Sequence, residues 1–338
     1  MCGTELSVVV PVYGCVECLE ALHARLVAVL DGITPDYEIV YVDDRSRDGA
    51  WEQLAELAGI DARVVAIRLS RNFGQHPAIT AGLEHARGRW TVVMDCDLQD
   101  PPEEIPRLYE KASAGYDIVY ARRSSRRHSL FRRAASATYF AILNRLAGTA
   151  FDSGFGNFSI ISEHVRAEVL RFRDKDRHYL MILTWLGFSS ATIDFSHADR
   201  FAGKSAYSFR RLVNFAFEGL FFQTTTLLRW IVYAGFVVSL LGAGLAAFYV
   251  ANYFLGSPYP GWTTLGVLVL LTGGFIITST GVTGLYIGKI FMQVKDRPLF
   301  VVDTVVQTDP RVKTDPRHAV WAEDPGARDE APHEQRTF

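Results

Sequence analysis

Two long apolar runs near the C-terminal end limit what this chain can fold into. Residues 231–254 and 263–288 contain no charged side chain, and each exceeds the ~20 residues that a helix needs to cross a bilayer. The connector 255–262 is short, uncharged and rich in Gly and Pro, which predicts a hairpin of two transmembrane helices. Hydrophobic residues make up 49% of the chain and 22 are Phe, more than a soluble domain of this size needs.

Basic side chains flank both ends of this hairpin. Positive charge gathers on the cytosolic side of membrane proteins, so both flanks are expected to face the cytosol. We therefore predict an integral protein of the cytoplasmic (inner) membrane, with the remainder of the chain and both termini in the cytosol. The basic residues concerned are Arg210, Arg211 and Arg229 before the hairpin and Lys289, Lys295 and Arg297 after it.

The four cysteines favour a reducing compartment. They are too few and too clustered for a disulfide framework, so we expect them to be reduced. Cys15 and Cys18 form a Cys-x-x-Cys pair, but no second Cys/His pair completes a zinc site. We interpret the pair as part of a loop and a helix start. The first apolar run ends at Pro11 and has no basic flank, so no signal peptide is predicted.

The N-terminal part alternates between strand and helix patterns. Strands separated by amphipathic helices predict an α/β domain with a mostly parallel sheet covered on both faces. Functional loops then collect at the carboxyl ends of the strands. No Gly-x-Gly-x-x-Gly and no Gly-Lys-Ser/Thr loop is present, which argues against a Rossmann dehydrogenase and a P-loop NTPase. The predicted strands are 6–12, 37–42, 64–69 and 90–94, and the predicted helices include 19–29, 51–57 and 77–86.

Carboxylates follow the fourth predicted strand. Asp95, Asp97 and Gln99 alternate along an extended backbone, so their side chains share a face. Hard oxygen donors of this kind suit Mg²⁺ or Mn²⁺, completed by phosphate and water. The plain alternative is an acidic turn after an edge strand. Asp43 and Asp44 end the second strand, and we expect these acidic ends to face each other.

A basic, amphipathic stretch lies in the middle of the chain. Arginines crowd residues 122–133, and apolar side chains repeat at helical spacing over 131–146. Such a helix is predicted to lie on an anionic membrane surface, and 207–228 is predicted as a second interface helix. The alternatives are a solvated basic face and a nucleic-acid site. Nucleic acid is disfavoured because the net charge is −2 and no known module is visible.

Several sequence motifs together indicate a resemblance to a known protein family. They are Val-Pro-Val-Tyr at 10–13, Asp-Asp-x-Ser-x-Asp at 43–48 and Asp-x-Asp-x-Gln-Asp-Pro-Pro-Glu at 95–103, followed by the hairpin. Over roughly residues 5–300 the chain resembles the family-2 glycosyltransferases of GT-A fold. More narrowly, it is similar to the polyprenyl-phosphate glycosyltransferases related to dolichyl-phosphate mannose synthase.

The resemblance implies a role for individual residues. Asp97 and Gln99 would hold the metal, and Arg200 begins a loop, 200–207, that resembles the one closing over the donor. Asn157 stands where several members carry a proposed catalytic Asp, which leaves Asp152 as the nearest carboxylate. The implied catalytic residues are Asp97, Asp152 and Arg200; the donor-nucleotide residues are Pro11, Tyr13, Glu17, Asp44 and Asp95; the acceptor-phosphate residues are Arg122, Arg132 and Ser136.

The resemblance also implies a reaction. A sugar would pass with inversion from a nucleoside-diphosphate sugar, UDP favoured over GDP, to a polyprenyl phosphate such as undecaprenyl phosphate. A lipid phosphate is already anionic, so no base is required. Members of this branch are often oligomers, which implies a homo-oligomer with a tetramer favoured. Gly14 and Cys15 replace the usual Asn-Glu pair, and Ala206 stands where Lys is usual.

Two other functions fit parts of the pattern. A processive polysaccharide synthase would carry Gln-x-x-Arg-Trp, but Gln223 lies too far from Arg229 and Trp230. An inactive membrane scaffold would not need its acidic residues. The expected organisation is a cytosolic glycosyltransferase domain (1–206), an interface helix (207–228), transmembrane helices (231–254 and 263–288) and a cytosolic tail (289–338) that is disordered from about residue 312.

Overall fold

A single eight-stranded sheet organises the part of the chain that the structure describes. The computed structural model describes residues 3–123, 155–175, 177–195, 226–255 and 262–308. The strand order is β7-β5-β6-β4-β1-β2-β3-β8. The strands are β1 (Leu6–Val12), β2 (Tyr37–Asp43), β3 (Val64–Leu69), β4 (Trp90–Val93), β5 (Ile118–Arg123), β6 (Phe155–Ser162), β7 (Ser190–Phe195) and β8 (Val302–Gln307).

The central strands are buried on both faces. Every residue of β1 and β2 is buried, as expected for Val- and Ile-rich strands of a parallel sheet covered on both sides. β1 pairs in parallel with β2 and with β4, and β2 pairs in parallel with β3. The carboxyl ends of these four strands therefore meet at one edge, which we call the carboxyl edge.

Helices cover both faces of the sheet. One apolar core holds the buried sides of α1, α2 and α4, and another holds those of α3, α5 and α6. The predicted fold class, a mostly parallel α/β sheet, is thereby confirmed. These helices are α1 (Val16–Asp31), α2 (Ala50–Ile60), α3 (Gln75–His85), α4 (Ile105–Ser113), α5 (Glu163–Arg171) and α6 (Tyr179–Leu186).

The close approach of α3 to the sheet depends on Gly82. A methyl group there would lie 2.3 Å from Val9 Cγ1 and 3.2 Å from Val42 Cγ2. We expect Gly82→Ala to destabilise the fold by about 1–3 kcal/mol, because overpacking forces the helix away from the sheet. Gly59→Ala on α2 is the matched control, since its Cβ would meet nothing within 4 Å. Equal melting temperatures for the two variants would contradict this packing.

Two long apolar helices follow the sheet domain. Within the described ranges, α7 (Thr226–Phe254) and α8 (Trp262–Val294) each contain a segment long and apolar enough to cross a membrane, Ile231–Asn252 and Leu271–Val294. Neither segment is buried inside the structure. The predicted pair of candidate membrane helices is present, and residues 226–228 of the predicted interface helix belong to α7.

The end of α8 contacts the sheet domain. The Gln293 amide nitrogen donates to the carbonyl of Arg173 at 2.9 Å, and the Gln293 amide oxygen accepts from the Lys175 backbone at 3.1 Å. Lys175 Nζ also pairs with Asp296 at 2.8 Å. These contacts join the junction before α6 to the cytosolic end predicted for the hairpin.

The strand β8 was not predicted. Residues 302–307 lie in the range assigned to the tail, and they pair antiparallel with β3 at the edge of the sheet. Arg45, in the loop after β2, pairs with Asp303 at 2.7 Å. The predicted interface helix 131–146, most of 207–228 and the tail beyond residue 308 lie outside the described residues.

Candidate active site at the carboxyl edge

The loops after β1 and β2 are hydrogen-bonded to each other. The backbone N–H of Gly14 donates to Ser46 Oγ at 3.3 Å, and that of Val16 donates to an Asp48 carboxylate oxygen at 3.0 Å. Asp48 thereby serves the N-terminus of α1, whose own N-cap residue makes no side-chain capping bond. Ser46 and Asp48 are therefore positioning residues for the loop after β1.

Asp44 is held by the loop after β3. Its buried carboxylate accepts hydrogen bonds from the backbone N–H of Phe73 at 2.7 Å and of Gly74 at 2.8 Å. Burial raises the pKa of Asp44, while these two donors act in the opposite direction. Gly74 has φ +103°, a conformation that side-chain-bearing residues rarely adopt, and it lets the chain turn into α3.

Asp95 receives the next side chain of that same loop. Gln75 Nε2 donates to Asp95 Oδ1 at 2.7 Å, and Asn157 of β6 approaches the same oxygen at 3.5 Å. Burial, followed by the negative charges of Asp100 and Asp97, raises the pKa of Asp95 to about 7. The acidic ends of β2 and β4 do not touch directly, because β1 lies between them and residues 73–75 bridge them.

Asp100 and Arg123 close the other side of the cluster. Asp100 is completely buried, accepts from the Asp95 backbone at 3.4 Å and pairs with Arg123 at 3.1 Å. Burial raises the pKa of Asp100, and the Arg123 guanidinium opposes that shift. Asp100 therefore supports the loop after β4, and Arg123 offsets part of its negative charge.

Asp97 and Gln99 lie on a tight turn. The intervening Leu98 has φ +60° and a buried side chain, and the Gln99 backbone donates to Asp97 Oδ1 at 3.2 Å. This Asx-type turn fixes a half-buried carboxylate. The negative charge of Asp97 contributes to the raised pKa of both Asp95 and Asp100.

The residues present fit a divalent cation that has few protein ligands. Acidic groups outnumber basic ones around Asp95, Asp97 and Asp100, and after burial, which is the main cause, the charges of Asp100 and Asp97 add to the raised pKa of Asp95. Among the described residues no group of three or more His, Cys, Asp or Glu converges as a complete metal site. A cation site with few protein ligands leaves most coordination positions to phosphate and water, an arrangement that Mg²⁺ and Mn²⁺ accept.

The expectation that all cysteines are reduced is wrong for two of them. Cys15 and Cys96 form a disulfide across 81 residues of sequence, with their Cα atoms 6.7 Å apart. The pairing follows from the topology, since the residues come just after the neighbouring parallel strands β1 and β4. Cys18 lies outside this bond and is buried on the core-facing side of α1.

The other donor residues differ in exposure. Pro11 is buried within β1, whereas Tyr13 is 55% exposed and Glu17 is exposed in the first turn of α1. Tyr13 and Glu17 are therefore accessible at the carboxyl edge. Pro11 shapes the strand from inside the fold.

Two arginines end β5 with different partners. Arg122 pairs with Asp194 of β7 at 2.6 Å, and Arg123 turns to Asp100. A Cβ at Gly156 would lie 3.1 Å from the Arg123 guanidinium. The remaining predicted site residues, Asp152, Arg200, Arg132 and Ser136, lie outside the described residues.

The structure adds residues that sequence reasoning missed. Gln75, Arg123 and the pair of Cys15 and Cys96 contact the acidic cluster or its loops. Gln75 follows a strand end and could have been noted on that ground. The disulfide carried no signal in sequence spacing, because only the strand order brings its halves together.

A histidine pair borders the site. His76, in the first turn of α3, packs on His178 with ring centroids 4.2 Å apart. Burial and then the neighbouring His178 lower the pKa of His76 from 6.5 to about 3. Below pH 6.5 the His76 side chain is protonated in the unfolded chain but stays neutral in the folded chain. The free energy of unfolding therefore falls as pH decreases towards 3.

We expect His76→Gln to flatten this acid-side loss of stability. Each such histidine contributes up to about 1.4 kcal/mol per pH unit. Thermal melting of the protein in detergent between pH 7 and pH 4 measures the slope. The exposed His164→Gln variant is the control and should follow the wild-type slope. An unchanged slope in the His76 variant would contradict the assignment.

The model described as "Glycosyl transferase family 2" matches residues 7–212, which cover the sheet from Ser7 of β1 to the end of β7, together with the carboxyl edge. The chain therefore belongs to glycosyl transferase family 2. The predicted resemblance is confirmed, and the protein is a glycosyltransferase.

The chain is also similar to individual glycosyltransferases over most of its length. The chain is 34% identical over 302 residues to uncharacterized glycosyltransferase YkcC of Bacillus subtilis (strain 168), covering 88% of this chain and 93% of that protein. It is 36% identical over 307 residues to undecaprenyl-phosphate 4-deoxy-4-formamido-L-arabinose transferase of Pectobacterium atrosepticum, covering 89% and 94%. Glucosyl-3-phosphoglycerate synthase from Mycobacterium tuberculosis, solved with Mn²⁺, UDP and phosphoglyceric acid, gives a TM-score of 0.46 at 18% identity over 67% and 78% of the two chains.

Proposed function

We propose that this glycosyltransferase moves a sugar from a nucleoside-diphosphate sugar to a polyprenyl phosphate at the cytosolic face of the membrane. The observation that carries the proposal is the acidic cluster of Asp95, Asp97 and Asp100 at the carboxyl edge of a domain followed by two candidate membrane helices. A relative of similar length is named as an undecaprenyl-phosphate sugar transferase, which supports undecaprenyl phosphate as the acceptor.

Asp97 and Gln99 would hold the divalent cation, either Mg²⁺ or Mn²⁺. When bound, the cation supplies Lewis-acid neutralisation of the leaving nucleoside diphosphate. Asp97 is half-buried and fixed by its turn, so its carboxylate is pre-oriented. Asp95 is held by Gln75 and adds negative charge beside it.

The donor nucleotide would lie over the loops after β1 and β2. Tyr13 exposes its ring there, and Glu17 offers the remaining carboxylate for the base. Asp44 is buried under this surface and fixes residues 73 and 74, so it shapes the nucleotide site through the backbone. We favour UDP over GDP as the donor nucleotide.

The acceptor phosphate would approach from the side of β5. An anionic phosphate oxygen attacks the anomeric carbon directly, the bond to the nucleoside diphosphate breaks, and the configuration inverts. No general base is needed because the nucleophile is already charged, which is consistent with an amide at Asn157. Arg122 lies at this side and would exchange its exposed partner Asp194 for phosphate, together with Arg132, Ser136 and Arg200.

A cavity beside Arg122 suits the apolar part of such an acceptor. It has a volume of about 230 Å³ and is lined by Tyr120, Phe155, Leu183 and Phe188 among others. Phe155 is the register partner of Arg122, so one lining residue of this apolar cavity lies opposite the strand position that carries the guanidinium. An isoprenoid phosphate combines these two chemistries in one molecule.

The membrane arrangement follows from the same proposal. We infer that α7 and α8 cross the cytoplasmic membrane and that the sheet domain and both termini are cytosolic. Gly284 and Gly288 lie one turn apart on α8, with open space at each Cβ position, which permits close helix approach. This supports a homo-oligomer, for which a tetramer is our expectation.

The test is transfer of label into lipid. Full-length protein in detergent is incubated with undecaprenyl phosphate, Mn²⁺ and a panel of radiolabelled UDP and GDP sugars, and chloroform-soluble product is counted. We expect lipid-linked product from at least one donor. This product should be lost when EDTA is added, and also when undecaprenyl phosphate is omitted. Binding of donors with no lipid-linked product from any of them would contradict the proposed acceptor.

A further inference from the structure

The loops of the carboxyl edge form a closed ring of contacts. The loop at 14–16 bonds to 46–48, and Asp44 of that second loop bonds to residues 73 and 74. Gln75 then bonds to Asp95 in the loop after β4. The disulfide between Cys15 and Cys96 completes the ring.

The disulfide is placed between the groups that matter for donor binding. Cys96 lies between Asp95 and Asp97, so a bond at its sulfur restrains the backbone that carries both carboxylates. Cys15 lies between Gly14 and Val16, whose N–H groups bond to the second loop. Both sulfur-bearing side chains are at most 9% exposed.

Other contacts between these loops are weaker. Arg25 of α1 pairs with Glu103 at 2.8 Å, but both side chains are exposed, and exposed ion pairs contribute little. The Leu98 turn also needs support, because a non-glycine residue with φ +60° sits in a sparsely populated conformation. A covalent bond beside this turn supplies that support.

We propose that the Cys15–Cys96 disulfide is a positioning element that holds Asp95 and Asp97 against the loop after β1, so that reduction of this bond weakens metal-dependent donor binding. The proposal rests on the proposed function, and it goes beyond it by making donor affinity dependent on thiol oxidation state. The sulfur atoms of Cys15 and Cys96 are bonded to each other, so we assign them an indirect role through the two aspartates.

The test compares one protein in two oxidation states. Dithiothreitol reduces the disulfide by exchange: its two thiols lose two electrons and two protons and close into a ring disulfide, while Cys15 and Cys96 become thiols. The reagent is then removed under nitrogen, so that it does not bind the metal. UDP, and GDP in parallel, are titrated calorimetrically into full-length protein in detergent containing Mn²⁺.

We expect the dissociation constant of the nucleotide to rise about tenfold on reduction, the effect typical of lost support around a metal ligand. A Cys15→Ser, Cys96→Ser double variant should show the weak value with or without dithiothreitol. Cys18→Ser, a change at a neighbouring buried cysteine, should keep both the tight value and the response. Melting temperatures verify that each variant is folded, and wild-type protein alone suffices if the double variant is not.

Alkylation before and after reduction, read by mass spectrometry of the peptides, reports the bond itself. Cys15 and Cys96 should resist alkylation until reduced. Alkylation of both in the untreated protein, or equal nucleotide affinity in the two states, would overturn the positioning role while leaving the proposed function intact. Wild-type protein that binds neither nucleotide in either state would instead remove the proposed function, and this role with it.

Discussion

Replacing Asp97 by alanine is expected to lower sugar transfer on the order of 100-fold or more, the scale of losing one group that stabilises transition-state charge. Asp97 lies on the turn that fixes its carboxylate toward the Asp95 and Asp100 cluster. In the proposed site, its removal would deprive the cation that neutralises the diphosphate of its main protein ligand. The protein should remain folded, because the side chain is half-buried at a loop and not part of either apolar core.

Glu103→Ala is the matched control for this variant. Glu103 is an exposed acid a short distance along the same segment, and it pairs with Arg25. Removing it changes the net charge by the same amount and should leave transfer within about twofold of wild type, as for exposed ion pairs generally. Transfer by Asp97→Ala at the wild-type rate would contradict the metal assignment.

Asp44→Asn is expected to affect both stability and donor affinity. The two carboxylate oxygens of Asp44 each accept one hydrogen bond, from the backbone N–H groups of Phe73 and Gly74. In asparagine one of these oxygens is replaced by an N–H₂ group, which cannot accept and faces a backbone donor. Loss of these buried bonds should lower the free energy of unfolding by about 1–3 kcal/mol. Because residues 73–75 also carry Gln75 to Asp95, we expect nucleotide binding to weaken about tenfold.

Chemical denaturation and nucleotide titration measure these two effects. Asp36→Asn makes the same substitution at an exposed position before β2 and should change neither quantity. If Asp44→Asn lowered stability but left nucleotide affinity untouched, residues 73–75 would not couple the two acidic loops.

The sheet could be predicted because its strands carry strong local patterns. Continuous Val and Ile runs such as Leu6–Val12 can be satisfied only by burial on both faces, and the helices between them carry one apolar side. The candidate membrane helices were equally clear from their length and lack of charge. β8 was missed because polar residues interrupt 302–307, so it has no continuous apolar run, and its strand character depends on pairing with the edge of β3.

The site could be predicted only in part. Sequence placed Asp44, Asp95 and Asp97 at strand ends, which parallel topology brings to one edge. It could not show that Gln75 bridges two acidic loops, that Arg123 rather than Arg122 turns to Asp100, or that Cys15 reaches Cys96. Each of these depends on strand order, which places residues distant in sequence beside each other.

The metal-dependent recognition of a nucleoside diphosphate is the central claim. The most direct measurement is calorimetric titration of UDP, with GDP in parallel, into full-length protein in detergent, with Mn²⁺ and then with EDTA. We predict saturable binding of at least one nucleotide that requires Mn²⁺ and is lost in Asp97→Ala. Nucleotide binding of equal strength without a divalent cation, or none in its presence, would contradict it.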